Sequence, residues 1–119
     1  MRPRLIAAVI CLFILAAPHA RAAEAQFIEG LTDVPLMPGL RVVEDAGLRF
    51  DNPAGRIVEI IAVGKVSAKA VAEFYASTLP QLGWRGKDNE YRREGERLRI
   101  QTGAADGKLA VRFFLAPAR

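Results

Sequence analysis

The chain of 119 residues has one cysteine, Cys11, and one histidine, His19, and both fall within its first 22 residues. Downstream of that point there is no thiol and no imidazole. A disulfide, a cysteine nucleophile, a histidine base and a histidine metal ligand are therefore excluded from the remainder. The commonest designs for hydrolases and transition-metal sites go with them, so the expected metal ligands, catalytic residues and cofactors are none. Glycine-rich phosphate loops, G-x-S-x-G, EF-hand patterns, heptads, internal repeats and low-complexity tracts are also missing. The apolar run Leu5–Ala17 has thirteen residues, too few to span a bilayer, which takes about 20.

What the first residues do contain is a basic start (Arg2, Arg4), that apolar run, and small residues in Ala20-Arg21-Ala22. These are the three parts of a secretory signal peptide. Cleavage is expected after Ala22, with Ala25 as the alternative, leaving no transmembrane segment and a periplasmic or secreted protein. Cys11 follows Val9-Ile10 rather than small residues, so no lipid anchor is expected. Removing residues 1–22 takes away three arginines and no acids, so 17 basic and 13 acidic residues become 14 and 13. A net charge of +1 gives no general reason to expect nucleic acid as a partner.

The rest is enough for one domain without staples. Residues 23–40 read as an extended apolar arm holding "DVPLMPGL" (33–40), and 41–119 as a single domain. Strands are expected at 41–50 and 56–66, joined by "DNPAG", where Pro53 suits the second position of a turn. Residues 67–84 form a helix. Ser67 can cap it, Val71, Phe74, Tyr75, Thr78 and Leu82 share one face, Gly83 stops it, and Pro80 should loosen its last turn. A meander follows, with "WRGK" as a short strand, then "EYRRE", "RLRIQT" and "KLAVRFFLA". Its turns fall at Asp88-Asn89, Glu94-Gly95 and Asp106-Gly107. The expected fold class is α+β, an antiparallel sheet of about five strands with one helix packed on one face, in the order β-β-α-β-β-β.

Alternation sets Leu98, Ile100 and Thr102, with Leu109, Val111, Phe113 and Leu115, toward the helix. Strand 56–66 is apolar on both faces: Val58, Ile60 and Ala62 on one, Ile57, Ile61 and Val63 beside Glu59 on the other. One helix covers only one face. The arm is expected to cover the second, laying Val34, Leu36, Met37 and Leu40 on the outer face or edge of the first hairpin. The same four side chains are the candidates for docking a partner, since a proline-stiffened segment loses little entropy on binding.

The outer face of the meander collects Arg92, Arg97, Arg99, Lys108, Arg112 and Phe114, the candidate ligand-binding set. Guanidinium forks suit phosphate and carboxylate. The plainer alternative is a solvated face whose arginines pair with Glu90, Glu94 and Glu96. Glu59, inside "IVEIIAV", is either a desolvated acid or a surface carboxylate beside an arginine. Trp84, with Tyr75 and Phe74, either lines a groove or belongs to the core.

Val71, Phe74, Tyr75, Leu79, Gly83 and Trp84 spell V-x-x-F-Y-x-x-x-L-x-x-x-G-W ahead of a strand meander. The pattern resembles small exported bacterial proteins of unknown function, over about residues 56–115, and more distantly the α+β modules of envelope accessory proteins. The resemblance implies this fold and an envelope location, and it brings no catalytic residue. The expected function is non-enzymatic: a small envelope binding or accessory protein recognising an anionic component, or another protein, through the basic sheet face. The alternatives are an enzyme using carboxylates or a serine–lysine pair (Ser67 or Ser77 with Lys65 or Lys69), and an inhibitor-like domain docking through its arm.

Overall fold

The computed structural model describes residues 26–118. The expected signal peptide lies outside them. Seven strands form one antiparallel sheet: β1 Leu40–Val42, β2 Leu48–Asn52, β3 Gly55–Gly64, β4 Arg85–Lys87, β5 Glu90–Arg93, β6 Glu96–Ala105 and β7 Lys108–Pro117. The single α-helix, α1, runs Ala68–Thr78. The lateral order is β1-β3-β7-β6-β5-β4, with β2 also paired to β3. An antiparallel sheet with one helix is as expected, and seven strands are roughly the expected five: two short strands replace 41–50, and the short strand expected at "WRGK" forms as β4.

The turns follow from local chemistry. Asp88-Asn89, Glu94-Gly95 and Asp106-Gly107 each have positive φ at both residues, the twist that two-residue hairpins require. At "DNPAG", Asn52 pairs with Gly55 and its side-chain oxygen accepts from Ala54 N at 2.9 Å. Ser67 caps α1 by accepting from Ala70 N at 3.0 Å. The last turn is loosened at Pro80 as expected: α1 ends at Thr78, Leu79–Leu82 continue as a 3-10 turn, and Gly83 closes it at φ 90°.

The strand expected at 41–50 breaks in two, β1 and β2. Val42 pairs with Ala62 and Leu48 with Glu59, so five residues (43–47) stand opposite two, Ile60 and Ile61. The surplus of three is odd, and an odd surplus moves every following side chain to the opposite face. Leu40 and Val42 therefore face the helix, while Leu48 and Phe50 face away.

The arm departs most from expectation. It is a folded loop rather than an extended strip, closed by Ile28 N donating to Val34 O (2.8 Å) and Leu36 N to Gln26 O (2.7 Å). It packs beside α1 on the inner face of the sheet. Ile28, Leu31, Val34 and Leu40 join Val71, Tyr75, Leu79, Trp84, Leu98 and Phe113 in one core, with Leu36 and Met37 packed at its margin. The physical reason is that α1 is short and leaves part of the inner face open, and the arm is the other apolar segment available to cover it. Four side chains hold it there. The buried Tyr75 hydroxyl donates to Pro35 O at 2.7 Å and accepts from Met37 N at 3.2 Å. Trp84 Nε1 donates to Asp33 O at 3.1 Å. Arg93 bonds Asp33 Oδ2 (2.8 Å) and stacks over Trp84 at 4.9 Å. Arg56 bonds Glu96 at 2.9 Å and reaches Gly30 O and Thr32 Oγ1.

Candidate functional site

With arm and helix both on the inner face, the outer face is left to solvent among the described residues. Directly paired residues of an antiparallel ladder share a face, so the register defines this surface. One row runs across the whole sheet as Leu48, Glu59, Phe114, Arg99, Glu90 and Lys87. Beside it Arg85, Arg92 and Arg97 stand in consecutive strands, each directly opposite the next. On the other side Ile61, Arg112 and Gln101 make a third row.

All six candidate ligand-binding residues, Arg92, Arg97, Arg99, Lys108, Arg112 and Phe114, lie on this face, Lys108 at its end beside the β6–β7 turn. Charged strand residues here number eight basic (Arg41, Arg85, Lys87, Arg92, Arg97, Arg99, Lys108, Arg112) and two acidic (Glu59, Glu90), a balance of +6. The balance of +1 over residues 23–119 thus conceals a strongly one-signed surface. Arg85 and Lys87 escaped the sequence analysis because "RGK" is too short to show alternation.

The acids do little to neutralise it. Glu59 pairs with Arg112 at 2.9 Å, as a carboxylate beside an arginine on the outer face should. Glu90 lies 3.9 Å from Arg97 and 3.8 Å from Arg99, loose contacts in solvent. Glu96 faces inward to Arg56, which its hydrogen bond raises above the ordinary guanidinium pKa. Among the described residues Arg85, Arg92 and Lys108 form no ion pair. Arg112 also lies over the Phe114 ring at 5.7 Å.

The four docking candidates are placed differently. Val34 is fully buried and Leu40 nearly so; both are occupied in this chain's own core and neither lies on the outer face. Leu36 and Met37 are half-buried and, with Pro38, Phe74 and Leu82, line an apolar groove of about 580 Å³ between arm and helix. Trp84 and Tyr75 are core: Tyr75 packs edge-on against Phe74 and Phe113 with ring centroids 4.9 and 5.4 Å apart. Ser67 is committed to its cap, and Lys69 lies 3.9 Å from Glu73. No helix among the described residues is long and apolar enough to cross a membrane.

Compared with known protein families, with curated proteins and with solved structures, the chain matches none.

Proposed function

We propose that this chain is a non-enzymatic binding or accessory protein of the bacterial envelope, whose outer sheet face recognises an anionic partner. The observation that carries the reading is the row Arg85–Arg92–Arg97. Like charges directly opposite one another destabilise a ladder, and guanidinium forks in adjacent strands, about 4.8 Å apart, match the phosphates or carboxylates of a polyanion. Export by the expected signal peptide would place such a surface among anionic envelope components.

The test is calorimetric titration with polyphosphate at rising salt. Wild-type binding should weaken as salt rises, because exposed charges are screened. Arg85→Glu/Arg92→Glu should weaken it further with the fold retained. Binding indifferent to both salt and substitution would remove this face from consideration.

A second reading has one observation behind it. The groove lined by Leu36 and Met37 is apolar and open, which suits docking of an apolar peptide through the exposed side of the arm. Leu36→Ser/Met37→Ser would abolish that binding and leave polyphosphate binding untouched.

A further inference from the structure

The outer face is not uniformly basic. Toward β2 it becomes apolar, and there its side chains are the most exposed large apolar groups of the sheet: Leu48 is 50% and Phe50 56% exposed. The odd surplus at residues 43–47 turns them outward. Phe50 stands opposite Ile57, and Leu48 is followed across the row by Glu59 and Phe114. Glu59, the one acid between the two halves, is tied to Arg112 at 2.9 Å. The face therefore passes from leucine and phenylalanine to arginine within about three strand spacings, or about 14 Å.

We infer that this face seats on the surface of an anionic lipid bilayer, with Leu48 and Phe50 entering the boundary between headgroups and acyl chains while Arg97, Arg99 and Arg112 meet the lipid phosphates. The inference rests on the reading of the basic half as an anion-binding surface and names its partner. A small soluble anion would engage the arginines and leave the apolar half without a role. A second copy of the same face would set a balance of +6 against +6, which repels. A bilayer with anionic headgroups offers both complements at once: apolar area gained below the headgroups and attraction of cations at them. Sheet twist refines the contact. Adjacent strands rotate by about 20–25°, so a flat surface meeting β2, β3, β7 and β6 leaves β4 and β5 tilted away. Arg85 and Arg92 then act at longer range, drawing the protein to the charged surface.

The experiment uses the chain from residue 23 onward, which contains every element described above and lacks the apolar run 5–17, itself able to partition into lipid. Flotation is measured with vesicles of phosphatidylcholine alone and of phosphatidylcholine mixed equally with phosphatidylglycerol, alongside titration with polyphosphate. The wild type should float with the mixed vesicles only. Leu48→Ser/Phe50→Ser should lose about tenfold or more of its vesicle affinity and keep its polyphosphate affinity. Phe50→Thr, which suits a strand, serves in its place if the double variant lowers the urea midpoint. Arg85→Glu/Arg92→Glu should weaken both interactions. Vesicle binding unchanged in the apolar variants overturns the bilayer contact and leaves the anion reading standing. So does a wild type that binds polyphosphate but neither vesicle, since the face would then serve a soluble or protein-borne anion. Equal binding to both vesicle types overturns the role of the arginines at the bilayer. Vesicle and polyphosphate binding both unchanged in the arginine variant overturns the anion reading itself.

Discussion

Arg92 stands directly opposite Arg97 across the β5–β6 ladder, and no acid shares their row. On the other side of Arg92 stands Arg85. A structural role would favour an acid in the middle position. Arg92→Glu should therefore stabilise the fold by about 0.5–1 kcal/mol, read as a raised urea midpoint, while weakening polyphosphate binding. A substitution that improves stability and impairs binding marks a functional residue. Destabilisation by the same change would show that the row serves the fold.

The arm should be energetically part of the domain, and its two kinds of contact should differ in weight. Val34 is fully buried in the core, so Val34→Ala should cost about 2 kcal/mol in urea unfolding from lost burial and the cavity left behind. Asp33 is half exposed and its pair with Arg93 reaches solvent. Asp33 has a left-handed backbone at φ 53°, which asparagine also tolerates, so Asp33→Asn should cost less than about 1 kcal/mol. Equal costs would show that the polar clamp, rather than the apolar seat, holds the arm.

Tyr75 ties helix to arm through one hydroxyl that donates to Pro35 and accepts from Met37. Tyr75→Phe leaves the buried carbonyl and the half-buried amide without their partner and should cost about 1–3 kcal/mol. A neutral result would place water or another group at those atoms.

The same residue sets a pH dependence. Burial pushes the Tyr75 phenol well above its ordinary value of 10.0, outweighing the opposing hydrogen bond from Met37. Tyr91 moves the same way, by burial first and the nearby Asp88 second. Below pH 10 the folded and unfolded chains both keep these protons, and neither tyrosine contributes a slope. Above it the unfolded chain releases them while the folded chain holds them. The unfolded state then binds fewer protons, and stability falls as pH rises. Tyr75→Phe should flatten part of that alkaline decline, measured as urea midpoints from pH 9 to 11 (about one unit either side of the ordinary phenol value). An unchanged slope would mean that the Tyr75 hydroxyl ionises freely in the fold.

What the sequence made legible was local. Asp-Asn, Glu-Gly and Asp-Gly specify tight turns by their own backbone preferences, Ser67 and Pro80 bound the helix without reference to anything distant, and alternation alone assigned Leu98, Val111 and Phe113 to the core. Once the turns and the alternation were read, Arg92, Arg97, Arg99 and Arg112 fell on one face. The arm was not legible in this way. No period in "DVPLMPGL" says which face it covers, because that depends on how much of the sheet α1 leaves open. Phe50 was hidden for another reason: the shift of phase at 43–47 depends on a count of residues against a partner strand, and reading one strand at a time does not reveal it.

The most direct test of the basic face as a binding surface is an NMR titration of the chain from residue 23 with polyphosphate, following backbone amides and arginine side chains. Binding by the basic face should concentrate the shifts at Arg85, Arg92, Arg97 and Arg99, with the arm and α1 unmoved. Shifts centred on Leu36, Met37 and Phe74 instead, or none on strands β4 to β6, would contradict it.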